Sequence, residues 1–170
     1  MDSAHRVHER EDRIYPGGGI CRGRRPRPRP AVRRYITGMD INEFLDRPLV
    51  ARVATAGPAV RPVWFIWEEG AFWWLTGAYS RLERDIAEDP RMALVVDTCE
   101  PATGEVFSVT CRGSAETVAL DRARAVRKLG KYLGPVELWP ARFSEPLEDP
   151  ATKMVRFVPD HPPKLHDRSW

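Results

Sequence analysis

The residues with the most chemistry to offer lie between Arg61 and Arg84. Arg61 stands in an apolar run, Val60–Trp67 (VRPVWFIW). A guanidinium there has to meet a carboxylate or a bound anion, because a buried unpaired charge is costly. Ser80 follows Gly77-Ala78-Tyr79, at the point where a helix should begin. Free amides and the dipole at a helix start attract anions, and Arg81 and Arg84 would add the forked donors that phosphate oxygens favour. Ordinary helix chemistry accounts for the same residues. Ser80 with Glu83 reads as a capping box, Arg81 with Asp85 as an i,i+4 ion pair, and Arg84 as part of a solvated face. Spacing alone leaves both readings open.

Several other chemistries are excluded. The sequence has no G-x-S-x-G, no Walker-type phosphate loop and no G-x-G-x-x-G. His5, His8, His161 and His166 all fall near the ends of the chain, so none enters the expected core. No His/Cys/Asp/Glu cluster has ligand spacing, and no metal is expected. Cys21, Cys99 and Cys111 make an odd number with no paired spacing, which argues against a disulfide scaffold. Tyr79 is a candidate hydrogen-bond donor, and no general acid or base stands out.

The elements that must position these residues read as strands joined by short turns. Asp40-Ile41-Asn42-Glu43 is a capping pattern opening a short helix, Ile41–Leu45, which Arg47-Pro48 ends. Strands are expected at Leu49–Thr55, Val60–Trp67, Ala71–Thr76, Arg91–Asp97, Glu105–Arg112, Ser114–Val118 and Met154–Val158. Gly113 should break the fifth strand from the sixth. Helices are expected from about Arg81 to Glu88 and over Asp121–Leu133, the latter with Ala123, Val126 and Leu129 inward. Gly134–Pro150 reads as irregular, and the last residues as a tail. Only two of the connections hold helices, so a parallel doubly wound sheet is excluded and an antiparallel barrel or sandwich is expected. Alternation puts Trp73 and Trp74 on opposite faces of one strand, so one of them needs a second burial surface, most economically a dimer interface.

Charge divides the 170-residue chain. Residues 1–38 carry ten arginines against four acids, whereas residues 39–170 carry 17 basic against 20 acidic residues. The Arg-Pro alternation and Gly17-Gly18-Gly19 predict a disordered basic tail over residues 1–38 and a folded domain over residues 39–170. The tail reads either as a solvated extension or as a basic arm. No aromatics interleave with the arginines of the Arg22–Pro30 run, and nucleic acid is not an expected partner. Neither a secretory signal nor an apolar run of membrane-spanning length is present, and a cytoplasmic location is the default expectation.

Taken in order, these segments resemble the pyridoxamine 5′-phosphate oxidase-like superfamily of flavin-binding split β-barrels. The capped helix, RPLVARVAT, RPVWFIW, the aromatic hairpin to LTGAYSR, the helix ending in EDPR, MALVVD, VTCRGSAETV, and RKLGKYLG followed by MVRFVPD span residues 40–167. The resemblance implies a mainly β (α+β) fold, an antiparallel split β-barrel of six to seven strands with two or three short helices, assembled as a homodimer. It implies FMN as cofactor, with a deazaflavin as the alternative, and a flavin-dependent oxidoreductase acting on a small organic substrate, with a nicotinamide cofactor as a candidate reductant. A non-catalytic flavin-binding protein is the remaining alternative. Phosphate contacts fall on Arg61 and on the family's Ser-Arg-Lys turn, here Ser80-Arg81-Leu82. Leu82 in place of lysine removes one contact, and Arg84 is the nearest substitute. Ring contacts fall on main-chain groups around Val63 and Trp64 and on Leu75 and Thr76. Ser108 stands where true pyridoxamine phosphate oxidases carry a flavin-contacting glutamine.

Deleting residues 1–38 is expected to leave the melting temperature and cofactor binding nearly unchanged. A large fall in melting temperature would show that this segment packs on the domain.

Overall fold

The computed structural model describes residues 38–57 and 59–170; the expected basic tail therefore lies, but for Gly38, outside the described residues. Helix α1 (Ile41–Asp46) opens as expected, with the Asp40 carboxylate accepting from the Asn42 and Glu43 amides, and it buries Phe44 and Leu45. The remaining elements are β1 (Val50–Thr55), β2 (Ala59–Trp64), β3 (Ile66–Glu68), β4 (Ala71–Thr76), α2 (Leu82–Glu88), β5 (Arg91–Asp97), β6 (Phe107–Ala119), α3 (Arg122–Leu133), α4 (Ala141–Ser144), β7 (Lys153–Pro159) and β8 (Leu165–Asp167). They form one curled antiparallel sheet in the order β2-β1-β5-β6-β7-β4-β3, with β8 on the side of β6. Its concave face holds the main core, built from Phe65, Phe72, Trp74, Leu94, Val109 and Phe157. Among the described residues no helix is long and apolar enough to cross a membrane.

The expected strand Val60–Trp67 is interrupted at Phe65. Residues up to Trp64 pair with β1, whereas Ile66–Glu68 pair with β4. A strand that changes neighbours leaves main-chain groups without a ladder partner, and buried groups of that kind must be satisfied elsewhere. Here α3 satisfies them. The Tyr132 hydroxyl accepts from the Phe65 amide at 3.0 Å and donates to the Leu49 carbonyl at 2.6 Å. The Lys131 ammonium donates to the Leu45 carbonyl at 2.7 Å and to the Phe65 carbonyl at 3.3 Å, above the Phe65 ring.

Gly113 does not separate two strands. It lies within the single strand β6, in register with Met92 on one side and Pro159 on the other. A Cβ there would fall 2.1 Å from the Val158 carbonyl oxygen, so the glycine permits close approach of backbones. The expected C-terminal tail contains β8, which pairs with Phe107–Val109. It is only three residues long and only Leu165 reaches the core, too little pattern to announce a strand.

Two packing expectations are corrected. The inward face of α3 is Arg124, Ala125, Lys128 and Leu129; Ala123 is exposed and Val126 half-buried. The helix covers a sheet edge rich in carbonyls and carboxylates, so its buried stripe is partly cationic. Trp73 and Trp74 do occupy opposite faces, at 6% and 1% exposure. Trp73, however, is covered within the same chain: the Arg124 guanidinium lies 3.9 Å from its ring and pairs with Glu68 and Glu69 at 2.9 and 2.8 Å. The tryptophans therefore give no argument for a second subunit.

Tyr132→Phe strands the Phe65 amide and should cost about 1–3 kcal/mol in urea unfolding. Gly130→Ala, on the same helix with no atom within 4 Å of the added Cβ, should instead stabilise by about 0.5–1 kcal/mol.

Candidate functional site

The change of neighbours at Phe65 leaves a gap in the sheet. Among the described residues the outer edge of β2 has no strand beside it, and β3 reaches only Ala71–Trp73 of β4, so Trp74–Thr76 are open on that side. A cavity of about 660 Å³ occupies the gap, within the range of small-molecule sites. Arg61, Val63 and Trp64 of β2 form one wall and Leu75 and Thr76 of β4 another; Ser80 comes from the β4–α2 loop, and Lys128 of α3 with Arg142 and Phe143 of α4 complete it. Six of the nine residues expected from sequence therefore line one space: Arg61, Val63, Trp64, Leu75, Thr76 and Ser80.

The other three stand elsewhere. Arg81 and Arg84 line a smaller depression of about 300 Å³ that also touches Arg61, with Asp85 and Glu88. Arg81 is exposed, whereas Arg84 pairs with Glu88 at 3.5 Å. Ser108 lies on β6 between Asp97 of β5 and His166 of β8 and does not line the main cavity.

The local ion pairs also differ from the sequence expectation. Asp85 does not pair with Arg81; its carboxylate takes the Arg61 guanidinium at 2.6 Å. The strand arginine thus has the carboxylate its burial demanded, while Thr55 Oγ1 lies 3.4 Å from its second terminal nitrogen. Ser80 Oγ accepts from the Leu82 amide at 3.1 Å, but the helix proper starts at Leu82 and Glu83 closes no capping box. Glu83 reaches across to Lys153 of β7.

Trp64 is stacked against Tyr132 at 4.7 Å and Phe143 at 5.4 Å between centroids. The main chain of β2 on its outer edge is left for a ligand. Trp74 and Thr76 line the cavity, and the Thr76 hydroxyl and the Trp74 indole N–H are buried with no hydrogen-bond partner among the described residues. Buried donors left this way are costly unless something accepts from them. A flat ligand bearing acceptors and negative charge fits this lining.

Sequence reasoning missed Lys128. It is 5% exposed and makes no ion pair or hydrogen bond to any described residue. Its signal was available: Arg124, Lys128 and Tyr132 recur at i, i+4 and i+8, a polar line within the buried stripe of α3.

Comparison with known proteins places this architecture. The family model described as pyridoxamine 5′-phosphate oxidase matches residues 39–161, from just before α1 to just beyond β7. The chain belongs to the pyridoxamine 5′-phosphate oxidase family. No curated protein matches it. Among solved structures, the conserved hypothetical protein Rv2991 from Mycobacterium tuberculosis superposes with a TM-score of 0.60 at 21% identity, over 75% of this chain and 82% of that one. An F420 reductase gives 0.51 at 22% identity, over 74% and 94%. The heme storage protein HutZ from Vibrio cholerae gives 0.55 at 16%, over 75% and 91%. At these identities the likeness is one of fold. In this member of the pyridoxamine 5′-phosphate oxidase family, Leu82 is 2% exposed and packs into the main core, so the position of the missing lysine is held by apolar packing.

The helix over the cavity carries a pH signature. Burial pushes Lys128 and Lys131 down to about 8 from the usual 10.5. Groups with depressed folded-state pKa values bind fewer protons folded than unfolded at intermediate pH, so stability rises as pH increases from about 8 toward 10.5. Cys111, pushed up to about 11 from 9.0 by burial, opposes this once the pH passes 9.0. Between about pH 7 and 9 each lysine should add roughly 1 kcal/mol to the unfolding free energy. Urea titrations should show that rise, and Lys128→Met should remove about half of it.

Proposed function

We propose that this chain is an FMN-dependent oxidoreductase acting on a small organic molecule, with the flavin in the gap between β2 and β4. The observation that carries the reading is the convergence of Arg61, Ser80 and the free β2 edge on one cavity. A bound flavin supplies hydride or electron transfer, and the protein supplies binding, orientation and electrostatics. Arg61 and Ser80 would hold the phosphate, with Arg81 reaching it from the outer side. The Asp85 carboxylate fixes the Arg61 guanidinium and leaves its other N–H groups to donate. Main-chain groups of Val63 and Trp64, with Leu75 and Thr76, would orient the ring, while Phe143 and Leu129 exclude water. A homodimer belongs to this reading, as the family resemblance implies.

A deazaflavin is the second reading, favoured by the fold shared with an F420 reductase. The visible spectrum of the purified protein separates the two: a maximum near roughly 450 nm for FMN, near roughly 420 nm for a deazaflavin. A protein that carries neither and takes up neither on reconstitution would sink both.

The phosphate contacts have their own test. Arg61→Ala or Arg81→Ala should weaken FMN binding roughly 10- to 150-fold, because a charge-assisted contact contributes about 1.5–3 kcal/mol. Ser80→Ala should cost less, and riboflavin, which lacks the phosphate, should discriminate little among the variants. Fluorescence titration of both ligands gives the ordering.

A further inference from the structure

Helix α2 follows directly on Ser80 and Arg81, and it is acidic. Its seven residues, LERDIAE, hold Glu83, Asp85 and Glu88 against one arginine, Arg84. Each of these carboxylates takes a cation. Glu88 holds Arg84 at 3.5 Å, Glu83 holds Lys153 of β7, and Asp85 holds Arg61 of β2 at 2.6 Å. The pairs are not equivalent. Arg84 and Glu88 have side chains 63% and 70% exposed, so water and salt screen them. Arg61 and Asp85 are 26% and 20% exposed, and their charges reach further into the protein.

No aspartate or glutamate is among the described residues lining the main cavity. Asp85 acts on that cavity through Arg61, which lines both it and the smaller depression. The smaller depression is lined by three arginines, Arg61, Arg81 and Arg84, and by three carboxylates, Asp85, Glu88 and Asp89, so its lining carries no net charge. Leu82, 2% exposed, adds none. The Arg61 end of the site is therefore close to balanced before any ligand arrives. An anion that takes the remaining N–H groups of Arg61 comes to lie beside the Asp85 carboxylate. Negative charges sharing one guanidinium repel, and a dianion is opposed more than a monoanion. The uncharged part of the same ligand meets no such opposition.

We infer that Asp85 is a specificity-determining residue: by neutralising Arg61 it restrains the affinity of this site for a phosphate dianion, and leaves recognition of the flavin ring untouched. This rests on the reading that Arg61 meets the phosphate of a flavin-type cofactor. Asp85 touches no ligand in this assignment and acts only through the charge it places behind Arg61. Asparagine at position 85 isolates that charge, because its amide oxygen still accepts from the Arg61 guanidinium. An aspartate that merely oriented Arg61 would be replaced by asparagine without gain.

The test titrates FMN and riboflavin by fluorescence into the full chain, dialysed free of cofactor, for the wild type, Asp85→Asn, Asp85→Ser and Asp85→Glu. The readout is the preference for FMN over riboflavin, a ratio in which a general loss of packing cancels. Asp85→Asn should raise that preference tenfold or more, through tighter FMN binding and with riboflavin nearly unchanged. Asp85→Ser should raise it as well, and supplies the same readout if Asp85→Asn fails to fold. Asp85→Glu, which keeps the charge, should stay near the wild type. The gain in Asp85→Asn should shrink as salt is raised, as a charge effect must and an orienting role need not. An unchanged or lower preference in both neutral variants would overturn the assignment, and so would a gain shared equally by riboflavin. A wild type that takes up neither flavin would sink the cofactor reading. Inorganic phosphate, titrated calorimetrically into the same proteins, then decides the role of Asp85: tenfold tighter binding by Asp85→Asn upholds it, and equal binding overturns it.

Discussion

A single peptide unit sets the architecture of this protein. At Phe65 one continuous extended segment stops pairing with β1 and starts pairing with β4. The main-chain groups stranded there cannot be left dry, and two neighbouring side chains of α3, Lys131 and Tyr132, satisfy them. That requirement fixes where α3 lies. It also opens the sheet, because a strand shared between two partners cannot fill the space beside both. The cavity, its aromatic wall and its cationic roof follow from how this one transition is satisfied.

The same helix explains why the cavity is electropositive. Its buried stripe carries Arg124, Lys128 and Tyr132 where an ordinary amphipathic helix would carry leucine or valine. Arg124 and the neighbouring Arg127 are matched by Glu68, whose carboxyl the two guanidinium groups hold down at about 2. Lys128, facing the gap instead of the β3–β4 turn, has no such match. Three positions along one helix thus run from a structural ion pair, through an unpaired charge, to a hydroxyl sewn into the main chain.

The fold was largely legible in the sequence. The strand-like segments that became β1, β5 and β7, the capping aspartate before α1, and the order of segments identified the architecture and most element positions. What stayed hidden depended on partners distant in the chain. No local pattern says that Phe65 changes neighbours, because VRPVWFIW is uniformly strand-like. Gly113 looked like a break, since a lone glycine in a strand carries the same signature whether it bends the chain or lets another backbone come close. Arg61 was correctly read as needing a partner, but Asp85 was assigned to Arg81 by helical spacing, and only the fold, which brings Asp85 to Arg61, redirects it. Lys128 was overlooked because a lysine on a helix is ordinarily solvated, and its burial depends on what the helix covers. Ser108, inferred from family resemblance, stands on a part of β6 remote from the gap within one chain.

The sheet order has a consequence for how the chain acquires its structure. Strand β4 meets β3 across a tight turn, but its other neighbour, β7, lies near the far end of the chain, with Phe72 opposite Phe157. Contacts of such sequence separation form late, because loop closure must precede any gain from them. A ribosome would have released nearly the whole domain before the floor of the gap could be secured, while β1, β2 and β5 could associate much earlier. The ligand site is therefore among the last regions to take shape, and a bound molecule can act only on the finished fold, retaining it by mass action rather than guiding its assembly.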